Sequence, residues 1–343
     1  MSGPAASDAI GVVVIGRNEG ERLRRCLHSL GERARAAVYV DSGSTDGSVA
    51  LARSLGVHVV ELDTAIPFTA ARARNAGLDA LVATGRAGEF VQFVDGDCEI
   101  EAGWLERAAA ELRADPRLVV VFGRRRERER EASPYNRLCD LEWDVPVGDV
   151  LSCGGDAMMR AAALRDVGGY DATLIAGEEP ELCMRLRARG GVVRRIDAPM
   201  TIHDAAMTNW RQWWRRMTRS GYVEAEGIAR HGRAYPRRRS AWGNVLWAVV
   251  LPIDAFLAAV IAWALGWPFL AAMVLLALLA IYALQWRRIA RGAAARWPAR
   301  DAQLWATSCL LGKWPAAQGM FTFWWRRLRG GPRRLIEYKA PAR

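Results

Sequence analysis

Apolar positions follow two unlike patterns along this chain. Over the first two hundred residues, short β-branched runs alternate with amphipathic stretches. Ile10-Gly11-Val12-Val13-Val14-Ile15 is apolar throughout, as a strand buried on both faces requires. A helical pattern follows, with Leu23, Cys26, Leu27 and Leu30 on one face. Ala37-Val38-Tyr39-Val40 and Val57-His58-Val59-Val60 predict further strands, and a helix from about Ala70 to Ala83 leads into the strand Phe90-Val91-Gln92-Phe93-Val94. Later strands are predicted at Val150-Leu151 and over Val192 to Ile196. This alternation predicts an α/β domain of Rossmann-like form, a mostly parallel sheet flanked by helices. Ligands of such sheets bind beyond the carboxyl ends of the strands.

The second pattern is continuous. From Trp242 to Trp286 the only charged residue is Asp254. That stretch suits two spanning helices of about 20 residues each, near 244–265 and 268–285, split at Gly266-Trp267-Pro268. A buried hairpin in a soluble protein is the alternative. Trp242, Trp247, Trp263, Trp267 and Trp286 cluster towards the predicted ends, as an interfacial belt would. Arg230, Arg233, Arg237, Arg238 and Arg239 precede the pair; Arg287, Arg288, Arg291, Arg296 and Arg300 follow it; the connecting turn carries none. The positive-inside rule then makes both ends and the large amino-terminal domain cytoplasmic. Asp254 is expected to face protein or water rather than lipid. A third apolar stretch, 304–325, is interrupted by Lys313 and Pro315 and ends in Trp324-Trp325-Arg326-Arg327. It reads as an interfacial helix in the headgroup layer. A third crossing would instead put Arg326, Arg327, Arg329, Arg333 and Arg334 outside, against the charge rule.

Charge and cysteine content narrow the partners. The net charge of +11 calls for an anionic partner. Because the arginines crowd around the apolar segments, membrane phospholipids are expected and nucleic acid is not. The six cysteines show no C-x-x-C and no zinc spacing, which suits reduced thiols in a cytosolic compartment. Met1 to Asp8 lacks the basic and apolar regions of a secretory signal.

Candidate chemistry sits at the predicted strand ends. Asp95-Gly96-Asp97 puts two carboxylates one residue apart after a buried strand, on one face if strand geometry continues. Mg²⁺ or Mn²⁺ is held by such carboxylates together with substrate phosphates, although Asp-Gly-Asp also forms plain turns. Asn18-Glu19 and Asp41 fall at the same edge. Asp41 opens a turn-rich run in which Asp46 could cap a helix, and its carboxylate could accept from a base or ribose. Gly154-Gly155-Asp156 gives a backbone that a sugar can approach closely, or a turn before a helix. Glu178-Glu179-Pro180-Glu181 is either amino-terminal helix chemistry or a source of a base. His203 is a structural side chain or a ligand.

The motifs in order are Val13-Val14-Ile15-Gly16-Arg17-Asn18-Glu19, Val40-Asp41-Ser42-Gly43-Ser44-Thr45-Asp46-Gly47-Ser48, Ala71-Arg72-Ala73-Arg74-Asn75-Ala76-Gly77 and Asp95-Gly96-Asp97. Together they resemble glycosyltransferase family 2 up to about residue 225, with Ser42 where that family often has a second acid. The resemblance implies a GT-A fold, a nucleotide-diphosphate sugar donor and Mg²⁺ or Mn²⁺. It further implies nucleoside contacts from Glu19 and Asp41, with Asn18 in the same donor motif, and Arg74 near the diphosphate or ribose with Asn75 holding the loop. Asp95 would face the nucleotide and Asp97 the metal, with His203 as a further ligand. Glu179 is the first candidate for the base that deprotonates the acceptor, and Glu178 the second. Gly154, Gly155 and Asp156 are assigned to the acceptor. Gln212 and Arg215 join them because Gln212-Trp213-Trp214-Arg215 partly resembles the Gln-x-x-Arg-Trp motif of processive polysaccharide synthases; Arg216 replaces its last tryptophan and weakens any case for a processive enzyme.

The expected organisation is a GT-A domain over 1–225, with a donor half near 8–125 and an acceptor half near 126–225. A basic-flanked transmembrane hairpin over 226–300 and an interfacial segment with a basic tail over 301–343 follow. The expected activity is inverting sugar transfer to a hydroxyl or phosphate acceptor, lipid-linked or glycan. It would take place at the cytoplasmic face of a bacterial inner membrane, in cell-envelope or exopolysaccharide synthesis. A nucleotidyltransferase would more naturally carry a glycine-rich, lysine-bearing loop near the first strand, and none is visible. A scaffold that has lost turnover is the non-enzymatic alternative.

Overall fold

A computed structural model describes residues 10–330. The basic positions Arg333 and Arg334, and the segment Met1 to Asp8, lie outside the described residues. Among the described residues the chain forms two compact units, one built from positions up to 130 with 142–206, the other from 131–141 with 207 onwards.

The first unit is an α/β domain. β1 (Ile10–Gly16) is central and buried, with β2 (Val38–Asp41) and β4 (Phe90–Asp95) parallel on either side, and β3 (His58–Glu61) is parallel beyond β2. The helices α1 (Glu21–Ser29), α2 (Ser48–Ser54) and α3 (Ala70–Ala83) return the chain between them, and α4 (Trp104–Ala114), α5 (Pro134–Trp143) and α6 (Ala161–Asp166) come later in the chain. Leu23, Cys26 and Leu27 of α1 are buried, as their spacing predicts. Gly77 lets α3 lie directly on the sheet, since a Cβ there would collide with Val13.

Beyond β4 the expected parallel order gives way to a mixed one. β8 (Ala157–Arg160) runs antiparallel to β4 and to β6 (Leu118–Glu127). β9 (Val192–His203) is parallel to β6 and antiparallel to β5 (Cys98–Ile100) and to β7 (Gly148–Asp149). The reversal has a consequence for chemistry: the end of β4 and the start of β8 meet, so Asp95 and Asp156 become neighbours. The strand expected to stop at Ile196 continues to His203, because register shifts in β6 let the pair curve together past Pro199.

The second unit is helical. α8 (Trp210–His231) starts in a capping box between Asn209 and Gln212. Two helices of 27 residues, Arg238–Ala264 and Pro268–Ala294, are long and apolar enough to cross a membrane, and both extend further outwards than the sequence suggested. The first comprises α9 (Arg238–Val245), a π-helical stretch Leu246–Val250 and α10 (Leu251–Ala264). Pro252, just past the π stretch, has no N–H to donate within the helix, and the Tyr282 hydroxyl of α11 (Pro268–Ala294) donates to the Trp247 carbonyl. Gly266, at φ +80°, and Pro268 at the first helical turn make the hairpin. Its seam is small: Ala259, Ala262 and Ala271 are buried with Val274 against them. Asp254 is exposed among the described residues. The third apolar stretch is two helices, α12 (Ala299–Leu311) and α13 (Lys313–Leu328), because Gly312 ends one while Pro315 is accommodated in the first turn of the next. α8 and α13 touch backbone to backbone, where a side chain on Gly221 would meet Ala316 and one on Gly319 would meet Thr218.

Candidate active site

The carboxyl ends of β1, β2 and β4 carry the predicted polar clusters, and hydrogen bonding shows how each is used. Asn18, at φ +56°, accepts from the Thr45 N–H through its side chain, and its own N–H donates to Ser44. It therefore clamps the loop after β2 onto the loop after β1. Glu19 pairs with Arg22 at 2.9 Å. Asp41 differs from expectation. It is buried, and its carboxylate accepts from the Tyr39 and Ser44 hydroxyls and from the Gly43 and Ser44 N–H groups. Both oxygens are committed to shaping the turn. Ser42, beside it, lines a cleft of about 160 Å³ with Arg17, Gly43, Asp63, Ile66, Phe68 and Arg72. Its hydroxyl is buried and has no hydrogen-bond partner among the described residues.

Arg74 is the hub of the site. Its guanidinium, 2% exposed, lies 2.9 Å from Asp95, 2.7 Å from Glu178 and 3.0 Å from Glu179. The surrounding carboxylates outweigh burial and hold its pKa well above the usual value. Asn75, one residue on, receives the Tyr170 N–H and donates to the Tyr170 carbonyl, fixing the loop before α7 (Glu178–Ala188). Glu178 and Glu179 open α7, where the helix dipole favours negative charge. Glu179 is the more accessible of the two, 14% against 5%. Burial first, and then the charge of Glu178, push the Glu179 carboxyl up to about 7, against the opposing pull of Arg74.

Asp95 and Asp97 face different charged groups, because β4 ends at Asp95 and Gly96-Asp97 turns into β5. Asp95 faces Arg74. Asp97 faces His203, with 3.4 Å between Oδ2 and Nε2. This carboxylate–imidazole pair suits Mn²⁺ or Mg²⁺ that takes its remaining oxygens from a diphosphate. Cys98 Sγ lies close enough to complete a third ligand. Burial, then Asp156, raise its thiol pKa, and a neutral thiol is a poor partner for a hard cation.

The glycine loop is used differently from its two neighbours. A Cβ on Gly155 would sit 2.5 Å from Arg74 Nη2 and 2.7 Å from Asp95 Oδ2, whereas one on Gly154 would meet open space. Asp156 was assigned to an acceptor but is fully buried. It accepts from the Asp95 N–H and the Thr201 hydroxyl and pairs with Arg125 at 2.8 Å. Its role is to join β4, β6 and β9 beneath the site. Gln212 and Arg215 belong to the helical unit, and the Gln212 oxygen accepts from Thr208 and Asn209 in the α8 capping box. Sequence reading missed Arg125, Glu127, Trp143 and Thr201. Arg125 and Glu127 sit in a charged run, yet their two-residue spacing on a strand puts both on one face.

Comparison with known proteins follows the same outline. Residues 11–165 match the family model for Glycosyl transferase family 2, and residues 141–284 that for Glycosyl transferase family group 2. A pre-mycofactocin glycosyltransferase of Mycobacterium tuberculosis is 31% identical over 243 residues, 67% of this chain and 49% of that protein. Glycosyltransferase AglE of Haloferax volcanii is 27% identical over 111 residues, 30% of this chain and 35% of that protein. The chain spans about half the length of the first of these relatives. The mannosyltransferase PcManGT of Pyrobaculum calidifontis, solved with GDP-Man and Mn²⁺, matches with a TM-score of 0.51 at 20% identity, covering 93% of this chain and 87% of that one. The first unit therefore has the GT-A fold.

Proposed function

This chain belongs to glycosyltransferase family 2, and from that premise we propose that it transfers a sugar from a nucleotide-diphosphate donor to an acceptor hydroxyl with inversion. The observation that carries the reading is Arg74, a single buried guanidinium that ties Asp95 at the end of β4 to Glu179 at the start of α7. Donor chemistry and base are thereby held within hydrogen-bond reach of one group.

In this mechanism the acceptor oxygen attacks the anomeric carbon, the bond from that carbon to the diphosphate breaks, and Glu179 takes the hydroxyl proton. A carboxyl poised near 7 suits a base working at neutral pH. Asp97 and His203 would hold Mg²⁺ or Mn²⁺, which supplies charge neutralisation for the departing diphosphate. Asp95 and Arg74 orient the nucleotide, and the cleft beside Ser42 receives the base. There the free Ser42 hydroxyl, rather than the saturated Asp41 carboxylate, is the polar group available to read it. Gly154 leaves open space for an acceptor. Two apolar helices and their arginine flanks would keep the site at the cytoplasmic face of a bacterial inner membrane, where a lipid-linked acceptor for envelope glycan synthesis is within reach.

The test is nucleotide release by membranes carrying the protein, across UDP-, GDP- and dTDP-sugars, with Mn²⁺ or EDTA. Release from one donor, abolished by EDTA, is the expected result. Absence of both release and donor binding would overturn the assignment and leave a non-catalytic scaffold.

A further inference from the structure

We propose that Glu127 is a positioning residue for His203: its carboxylate accepts a hydrogen bond from the imidazole Nδ1–H, so that Nε2 presents a lone pair to a divalent cation beside Asp97. The proposal rests on the metal reading above. Glu127 ends β6, His203 ends β9, and the two are paired in register. Glu127 Oε2 lies 3.4 Å from Nδ1, while Asp97 Oδ2 lies 3.4 Å from Nε2, at the other nitrogen of the ring.

Three features keep that arrangement fixed. The Glu127 side chain is completely buried. Its carboxylate also accepts from the Ala205 N–H, at 3.1 Å to Oε2, and from the Glu129 N–H, at 3.4 Å to Oε1, so its orientation is set by backbone on both sides of the sheet end. The Trp143 ring packs edge-on against His203 with centroids 4.6 Å apart, which restricts rotation of the imidazole. A buried carboxylate is costly unless it is hydrogen-bonded, and the Nδ1–H tautomer supplies one of those bonds. The opposite tautomer would direct its N–H at the place where the cation binds and leave Glu127 facing a lone pair. Carboxylate–histidine–metal arrangements work in this way: the outer group selects the tautomer and raises the basicity of the ligand. An ion between Asp97 and Nε2 would be separated from Glu127 by the width of the ring, so Glu127 acts through His203 and not as a ligand itself.

The experiment is a calorimetric Mn²⁺ titration of the full-length protein without donor, together with long-range ¹H–¹⁵N spectra of protein labelled at its four histidines. Glu127→Ala is expected to weaken Mn²⁺ binding by roughly 10- to 100-fold, Glu127→Gln, which keeps an acceptor, by less, and the wild-type His203 ring to be the Nδ1–H tautomer. Mn²⁺ affinity within two-fold of wild type in Glu127→Ala, with His203→Ala and Asp97→Asn impaired, would overturn the proposal while sparing the metal site. Unimpaired binding in His203→Ala and Asp97→Asn would overturn the metal site itself. Should Glu127→Ala fail to fold, the wild-type spectrum decides, since an Nε2–H tautomer is incompatible with the proposal.

Discussion

Glu179 is a carboxyl group that its surroundings hold near 7, with burial as the main cause. Its active form is the carboxylate, so kcat/KM should rise with pH through an apparent pKa near 7 and fall about tenfold per unit below it. Glu179→Gln should remove that limb and lower kcat by roughly 10²- to 10⁴-fold. The stability sign is opposite. The folded state favours the protonated carboxyl, so the group's contribution is full below its unfolded value and is lost as pH rises through about 7. Glu179→Gln should accordingly melt higher than wild type at pH 8, a gain that a merely damaged variant would not show. Pairing that melting curve with the pH–rate profile checks both halves. Asp95, Asp97 and Glu179 were legible as candidates because the strand and helix boundaries that carry them were, although acids at such places also form turns and stabilise helix starts. Asp41 was legible as a site residue but not as a saturated one, since Tyr39 and the backbone of its own turn supply the donors. Glu127 was hidden because a charged run in a sequence reads as solvated surface, and only strand pairing with β9 buries it.

At the scale of elements, the loop before β8 depends on one glycine and not on its neighbour. Gly155→Ala would push a methyl into the Arg74–Asp95 pair, and displacements near 1 Å can cost on the order of 100-fold in rate. Gly154→Ala should retain donor binding, because its methyl meets nothing within 4 Å. Donor affinity and kcat measured for the two variants side by side separate the roles; equal behaviour would contradict the packing. The parallel half of the sheet was readable from its apolar runs: β1, β2 and β4 are buried almost throughout, while β3 is partly exposed. The antiparallel insertion of β8 was not, because Ala157-Met158-Met159-Arg160 has no pattern that encodes direction. The two β6–β9 register shifts near Pro199 were equally silent, and they are what carry His203 to the site.

At the scale of the whole molecule, two 27-residue helices with largely exposed apolar faces, Phe269 at 88% among them, are long and apolar enough to cross a membrane, and the proposed placement there has direct consequences. The protein should stay in the membrane pellet after alkaline carbonate or high-salt washing. Protease should cut the GT-A unit in inverted inner-membrane vesicles and spare it in intact spheroplasts. Release by salt alone would leave only a surface-bound protein. The hairpin was legible from composition, since a run with one charge between Trp242 and Trp286 has no solvated face. Its outer limits were not, because arginines on the last turns of a helix look the same as arginines beyond it.

The π-helical stretch at Leu246–Val250 gives the first of these helices one residue more than a regular turn needs. Removing a single residue there lets the helix relax to its ordinary pitch while Ala259 and Ala262 still face Ala271. The same deletion inside α10, after Leu251, turns those alanines away by about 100°. Length variation along this helix should therefore be tolerated at one place and refused elsewhere. A series of one-residue deletions scored for membrane-inserted yield would map that place without any knowledge of substrate.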